Sequence, residues 1–260
     1  MEEFLGSLRI ITNGNVLLYI LKGVGFTLVL AVLSVLLGLL IGSVMGVARN
    51  YCNGKGNRIF GWLATAYIEI FRNTPLMLWI FMGILFLPAP AFSSALGLSS
   101  VEWGLMYKVT VALTLWTSSV IAEIVRGGLN SVAKGQFEAG YSQGFSFLQI
   151  MFYIVIPQAF QNIIPTLLSQ IITTIKDTSY FANVATIELL QRVKMIISTA
   201  GDYNGLGYTS VSDVFLLFGF ACIIYFAINF TLSCLVRKLQ KRGVRAERNK
   251  NNQTEKTSFA

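Results

Sequence analysis

Histidine is absent from this chain, and charge is scarce. Without His there is no Ser-His or Cys-His nucleophile pair, no His-ligated zinc and no imidazole proton relay. The three cysteines, Cys52, Cys222 and Cys234, lie far apart with no C-x-x-C. That spacing speaks against a disulfide framework or a thiolate metal cluster. Cys222 and Cys234 fall in an apolar run and read as plain hydrophobes. Asp, Glu, Lys and Arg make up 12% of the 260 residues, half the ~25% of soluble domains. Hydrophobic residues make up 54%. A chain so composed cannot cover a water-facing surface, and it reads as a polytopic membrane protein. The net charge of +8 does not point to nucleic acid. Eight of the 20 Lys and Arg lie in the last 24 residues, and most others lie in loops, where membrane topology places them.

A membrane span needs about 20 mostly apolar residues, and five segments qualify. Gly23 to Ala48 carries no charge. Its Gly38, Gly42 and Gly46 stand four apart, a spacing that lets another helix approach closely. The general abundance of glycine in membrane helices gives the same pattern without a contact. The second segment runs from Ile59 to Leu87, contains Glu69 and Arg72, and ends at Pro88-Ala-Pro90. The third runs from Met106 to Ile124. The fourth lies within Ile150 to Ile175. It has Pro157 at its start, where proline is tolerated, and Pro165 as the source of a kink. The fifth is Val214 to Val236. Residues 1–22 read as a short amphipathic lead-in rather than a cleavable signal. Residues 23–236 read as the membrane domain, and 237–260 as a basic, disordered tail. With the C-terminus inside, thirteen Lys and Arg lie in the inner segments and six outside. This excess predicts an outer N-terminus and a cytoplasmic C-terminus.

Between the third and fourth segments the chain reads Glu138-Ala139-Gly140, three residues, Gly144, nine residues, Ile154, one residue, Ile156-Pro157. This resembles the EAA loop of ABC importer permeases, with Gly140 in place of the second Ala and Ile156 in place of Leu. Other stretches match the same family. Glu69 to Leu76 (EIFRNTPL) resembles its E-x-[FI]-R-x-T-P-L segment. Ala112 to Gly128 resembles its A-L-T-L-N-x-x-A-Y-x-A-E-I-x-R-G-G segment. Gln170 to Ser179 (QIITTIKDTS) resembles its Q-x-I-x-x-x-K-D-T-S. The likeness covers roughly residues 20 to 236 and points to the polar amino-acid branch, the histidine/glutamine/arginine/cystine-type permeases. Trp116 and Val120 depart from the Asn and Tyr common there.

The resemblance implies an all-α integral membrane protein with five transmembrane helices and the type I ABC importer (MetI-like) permease fold. It implies a bacterial cytoplasmic-membrane location and a second permease subunit, either an identical copy or a sister chain. It further implies two ABC ATPase subunits and an extracytoplasmic binding protein that delivers a polar amino acid. The coupling loop spans about 134–157, with Glu138, Ala139, Gly140, Gly144 and Pro157 facing the ATPase. The plainer reading of that loop is an interfacial helix with Phe145 and Phe147 toward lipid. ATP and Mg belong to the partner. A P-loop needs Ser or Thr after its Gly-Lys, and here Gly54-Lys55 is followed by Gly56. The chain is therefore expected to be a transport subunit and not an enzyme. The alternatives are a membrane-embedded enzyme and a non-energised channel or scaffold.

Intramembrane polar residues carry the remaining expectations. Glu69 and Arg72 are three apart, on one helical face. Each alone at bilayer depth costs at least about 2.5–3.5 kcal/mol, so they are expected to pair, to face a watery cavity or to lie near an end of the span. They line a substrate path, or they hold helices together. Asn73, Thr74, Thr117 and Ser118 offer groups suited to an amino-acid zwitterion, or to interhelical hydrogen bonds. Lys176-Asp177-Thr178-Ser179 is expected at the outer end of the fourth span, with Asp177 capping the next helix. By resemblance this segment and Gln170 lie near the substrate pocket. Phe181 to Ile197 is apolar enough to lie against the membrane or dip into it. Glu123 and Arg126 read as an interfacial pair.

Overall fold

The computed structural model describes residues 2–52, 58–89, 91 and 98–258, and side chains within these from residue 3 to 238. Gly54-Lys55 and Pro90 lie outside the described residues. Helix α1 (Glu2–Thr12) is followed at once by α2 (Gly14–Tyr51), whose first turn is capped by Asn13 accepting from the Asn15 N–H at 3.0 Å. The first span is therefore longer than its charge-free stretch. After it come α3 (Arg58–Arg72), α4 (Leu76–Phe86) and α5 (Ser100–Asn130). Helix α5 starts on a reciprocal capping box between Ser99 and Glu102.

The second expected span is not one helix. Helices α3 and α4 meet at 103° across Asn73 to Pro75. Pro75 is extended, with φ −62° and ψ 131°. A residue before proline is pushed out of the helical region, so Thr74 ends α3. Its hydroxyl turns back to the Ile70 carbonyl at 2.6 Å, and the Trp79 indole N–H donates to that hydroxyl at 2.6 Å. Counted as one broken span, this pair brings the candidate spans to five.

Helices α2 and α5 run parallel and share the closest seam of the molecule. Gly38, Gly42 and Gly46 face it. A Cβ on Gly42 would stand 2.6 Å from the Ser118 carbonyl oxygen, and one on Gly46 2.5 Å from that of Ala122. Lipid tails are as apolar as leucine, so close backbone approach holds these helices together where the hydrophobic effect has no grip. Helix α4 runs antiparallel along the outer part of α5, with Gly83 against Lys108 and Ala112. After α6 (Lys134–Ser142) and α7 (Phe147–Ile150), a π-turn (Met151–Val155) leads into α8 (Ile156–Asp177). Pro157 sits in the first turn of α8, and Pro165 lies inside it.

The fourth element does not end at Lys176. A 3-10 turn (Thr178–Val184) buries Phe181 with Leu30, Ile80 and Leu113. Ala185, in the left-handed region, breaks the helix, and α9 (Leu189–Ser198) continues antiparallel to the first part of α2. The apolar run Phe181 to Ile197 thus packs against α2 and the core. Lys176 to Ser179 stand at a break within the element instead of at its end. Asp177 caps nothing with its side chain, because the backbone there is still helical.

After α10 (Ala200–Asn204), helix α11 (Val211–Ser258) continues through the segment read from sequence as a disordered tail. That segment has no proline, one glycine and many good helix formers. At the start of α11, fully buried Asp213 accepts from the Ser7 hydroxyl at 2.6 Å, the Asn204 amide at 2.7 Å and the Ser210 N–H at 2.8 Å. One carboxylate therefore ties α1, α10 and α11 together. Asp213→Ala removes three hydrogen bonds, leaves the buried Ser210 N–H without an acceptor and is expected to cost about 2 kcal/mol or more. It is also expected to free α1, so that added trypsin cleaves after Arg9. Unchanged resistance at Arg9 would contradict this clamp.

Candidate functional site

Five charged side chains converge where α2, α3 and α5 meet. Arg49, in the last turn of α2, reaches Glu69 on α3 at 2.6 Å and Glu123 on α5 at 2.9 Å. Glu123 also accepts from Arg126, through Nε at 2.9 Å and Nη2 at 2.8 Å, and lies 3.3 Å from Arg72. The Asn73 amide donates to Glu69 at 2.7 Å. Glu69 and Arg72 are joined through other helices and not to each other, contrary to the neighbour pairing their spacing suggests. The reason is Arg49, assigned from sequence to an inner loop: α2 extends past it, and its two-pronged guanidinium bridges both carboxylates. Three guanidiniums against two carboxylates leave one positive charge in excess. Glu123 is largely buried, whereas the side chains of Glu69 and Arg72 are about half exposed, at 49% and 47%. The exposed pair is the part of the cluster open to a passing molecule.

Thr74 sits at the bend beside this cluster, and its carbonyl accepts from the Trp116 indole at 3.4 Å. Tyr67 ties α3 to α5, with its hydroxyl 2.6 Å from that of Ser118 and donating to the Leu115 carbonyl at 3.0 Å. Thr117 and Ser118 are fully buried, and Thr117 packs on Gly38. These two belong to the helix packing and not to an open surface. Farther along, Lys176 is exposed and Ser179 half-buried, while Thr178 is buried with its hydroxyl on the Ile175 carbonyl at 2.8 Å. The Gln170 amide nitrogen and one Asp177 carboxylate oxygen are buried without a hydrogen-bond partner among the described residues. Such groups are costly to leave alone, which makes them candidates for a transient ligand. The structure therefore places Glu69, Arg72, Asn73 and Thr74 together, and Gln170 to Ser179 as a separate group.

The residues of the EAA-like loop form an elbow. Helix α6 exposes Glu138 and Ala139, while Gly140 is buried under Ile150. A Cβ on Gly140 would stand 2.7 Å from Ile150 Cγ1, which accounts for glycine where the family motif has alanine. Gly144 has φ +81°. The Phe145 N–H bonds back to the Gly140 carbonyl at 3.0 Å, and the Gly144 N–H to Tyr141 at 2.9 Å. This is a Schellman stop, and it requires a left-handed residue that only glycine supplies without strain. Ser146 and Gln149 then form a capping box that starts α7. Pro157 is exposed in the first turn of α8. Tyr51 meets Phe147 edge-on at 5.4 Å, joining the elbow to the end of α2.

One polar group escaped the sequence reading. Glu188 is fully buried and accepts from the Tyr225 hydroxyl at 2.9 Å and the Gln191 N–H at 2.7 Å. Arg192, one turn on, lies over the Tyr19 ring at 4.2 Å and donates to the Tyr19 carbonyl at 3.2 Å. A Glu and an Arg four apart read as a surface pair. Only the docking of α9 on α2 and α11 shows that both are inside.

Residues 38–245 match the family described as binding-protein-dependent transport system inner membrane component. The chain is 33% identical over 230 residues to the probable glutamine ABC transporter permease protein GlnP of Bacillus subtilis (strain 168), covering 87% of this chain and 94% of that one. It is 31% identical over 228 residues to the glutamate/aspartate import permease protein GltK of Escherichia coli O157:H7, covering 86% and 93%. Its fold is similar to that in the crystal structure of an amino acid ABC transporter with histidines. The TM-score is 0.72 at 24% identity, over 90% of this chain and 98% of that one.

Proposed function

Since the chain belongs to the binding-protein-dependent transport system inner membrane component family, as a permease subunit of an amino-acid ABC importer, we propose that it carries a polar amino acid inward across the bacterial cytoplasmic membrane. The N-terminus is outside and the C-terminus cytoplasmic, in keeping with the basic excess of the inner segments. A binding protein delivers the amino acid to the outer face. Two ATPase subunits, which hold ATP and Mg, act on a pair of permease chains. Polar amino acids are the substrate class because relatives are named for glutamine and for glutamate/aspartate.

The observation that carries the coupling half is the elbow. It presents Glu138 and Ala139 outward on a short helix whose base is fixed to α7 through Gly140 and Ile150. A push on α6 is then passed to the foot of α8 instead of being lost in a floppy loop. The excess positive charge beside exposed Arg72, with Glu69 and Asn73 at hand, matches both ends of an amino-acid zwitterion on its way through. Glu138→Arg is the direct test. Membrane abundance should stay normal, while uptake and co-purification of the ATPase fall about tenfold or more, the equivalent of 1.4 kcal/mol. Normal uptake with this variant would remove the elbow from the coupling path.

A further inference from the structure

A groove of about 510 Å³ runs between α2 and α5. On α2 it is lined by Phe26, Leu33, Leu37 and Ile41, and its outer end is flanked on α5 by Trp103 and Tyr107. From Phe26 to Ile41 the helix rises about 22 Å, more than half the ~30 Å hydrocarbon core. Leu33 and Leu37 are 44% and 46% exposed. The groove is therefore an open channel along two membrane spans and not an internal void.

Its outer end is marked by charge. Lys22 precedes Phe26 by one helical turn on the same face, as 22, 26, 33 and 37 share one stripe. It is exposed and makes no ion pair among the described residues. Lys22 and Arg49 bound an uncharged run that rises about 40 Å, longer than the ~30 Å hydrocarbon core, so with Arg49 at the inner end Lys22 falls at headgroup level. Behind Phe26 lies a second cation, with the Arg192 guanidinium 5.4 Å from the ring centroid. On α5 the Glu102 carboxylate is engaged in the capping box, its Oε2 accepting from the Ser99 N–H at 2.7 Å and hydroxyl at 2.9 Å. Trp103 and Tyr107 have the amphipathic rings that favour this level of a bilayer.

We propose that this groove is a phospholipid site, with one acyl chain laid along α2 between Phe26 and Ile41 and the phosphate held at Lys22. Length, apolar lining and a single cationic end together fit a phospholipid. A lipid phosphate supplies the counter-charge that Lys22 lacks among the described residues. The site goes beyond the transport reading and does not depend on it.

The test is native mass spectrometry of the full-length chain, purified in the assembly it forms and exposed to phosphatidylglycerol. The wild type should retain one lipid per chain. Lys22→Gln should lower retention about fivefold, and Leu33→Trp, which fills the groove, should lower it at least as much. Leu37→Trp serves as the filling variant if Leu33→Trp fails to assemble. Wild-type retention in the Lys22 variant or in an assembled filling variant overturns the proposal. So does an efficient copy-to-copy disulfide through Leu33→Cys in a cysteine-free background, which would make the groove a subunit interface.

Discussion

Arg49→Met is expected to abolish uptake and to cost the folded chain about 1.5–3 kcal/mol, the scale for losing a hydrogen bond to a charged group. Arg49 faces Glu123, largely buried, and Glu69, half exposed. Most of the loss therefore comes from Glu123, since exposed pairs contribute about 1 kcal/mol or less. Arg126 and Arg72 still neutralise Glu123, so the chain should fold, with α3 untied from the end of α2. Arg49→Lys retains the charge but not the two-pronged fork, and should restore abundance more than transport. The measurement is uptake per folded transporter, with melting followed in detergent. If Arg49→Met transports at the wild-type rate, the cluster is not part of the path or its gate.

Gly46→Val is expected to remove most folded protein from the membrane. A side chain there meets the Ala122 backbone, which cannot swing aside as a flexible side chain can. Overpacking ordinarily costs about 1–3 kcal/mol, and here the strain is imposed on the seam that joins α2 to α5. Gly25→Val, on the same helix but with open space around it, is the control and should leave abundance unchanged. Equal abundance of the two variants would show that the seam tolerates separation.

Much of this architecture is legible in sequence because a bilayer enforces it. The uncharged run of α2 forms a helix long enough to span, and the glycine stripe is where α5 approaches most closely. Three features were not legible. The bend at Pro75 follows Glu69, Arg72, Asn73 and Thr74 in a segment whose average hydropathy still reads as one span, because hydropathy registers a span and not its shape. The fourth element extends past Lys176 because the charged Lys-Asp pair resembles a membrane boundary, while burial of Phe181 carries the chain onward. The bridging role of Arg49 depends on three helices meeting. Neighbours in sequence suggested Glu69 with Arg72, whereas neighbours in space are Glu69 with Arg49 and Arg72 with Glu123.

The parallel seam of α2 and α5 has a consequence for biogenesis. Two parallel spans cannot be consecutive, so α2 enters the bilayer before its partner exists. Ala122 leaves the ribosome 76 residues after Gly46, a delay of about 4–15 s at ordinary synthesis rates. During that interval the glycine face of α2 is turned to lipid. A helix satisfies its own backbone polar groups, so the bare stripe carries no unpaired donor while it waits. Polar contacts, had they formed the seam, would spend those seconds unpaired in hydrocarbon or caught by a wrong partner. Glycine leaves the seam silent until α5 arrives.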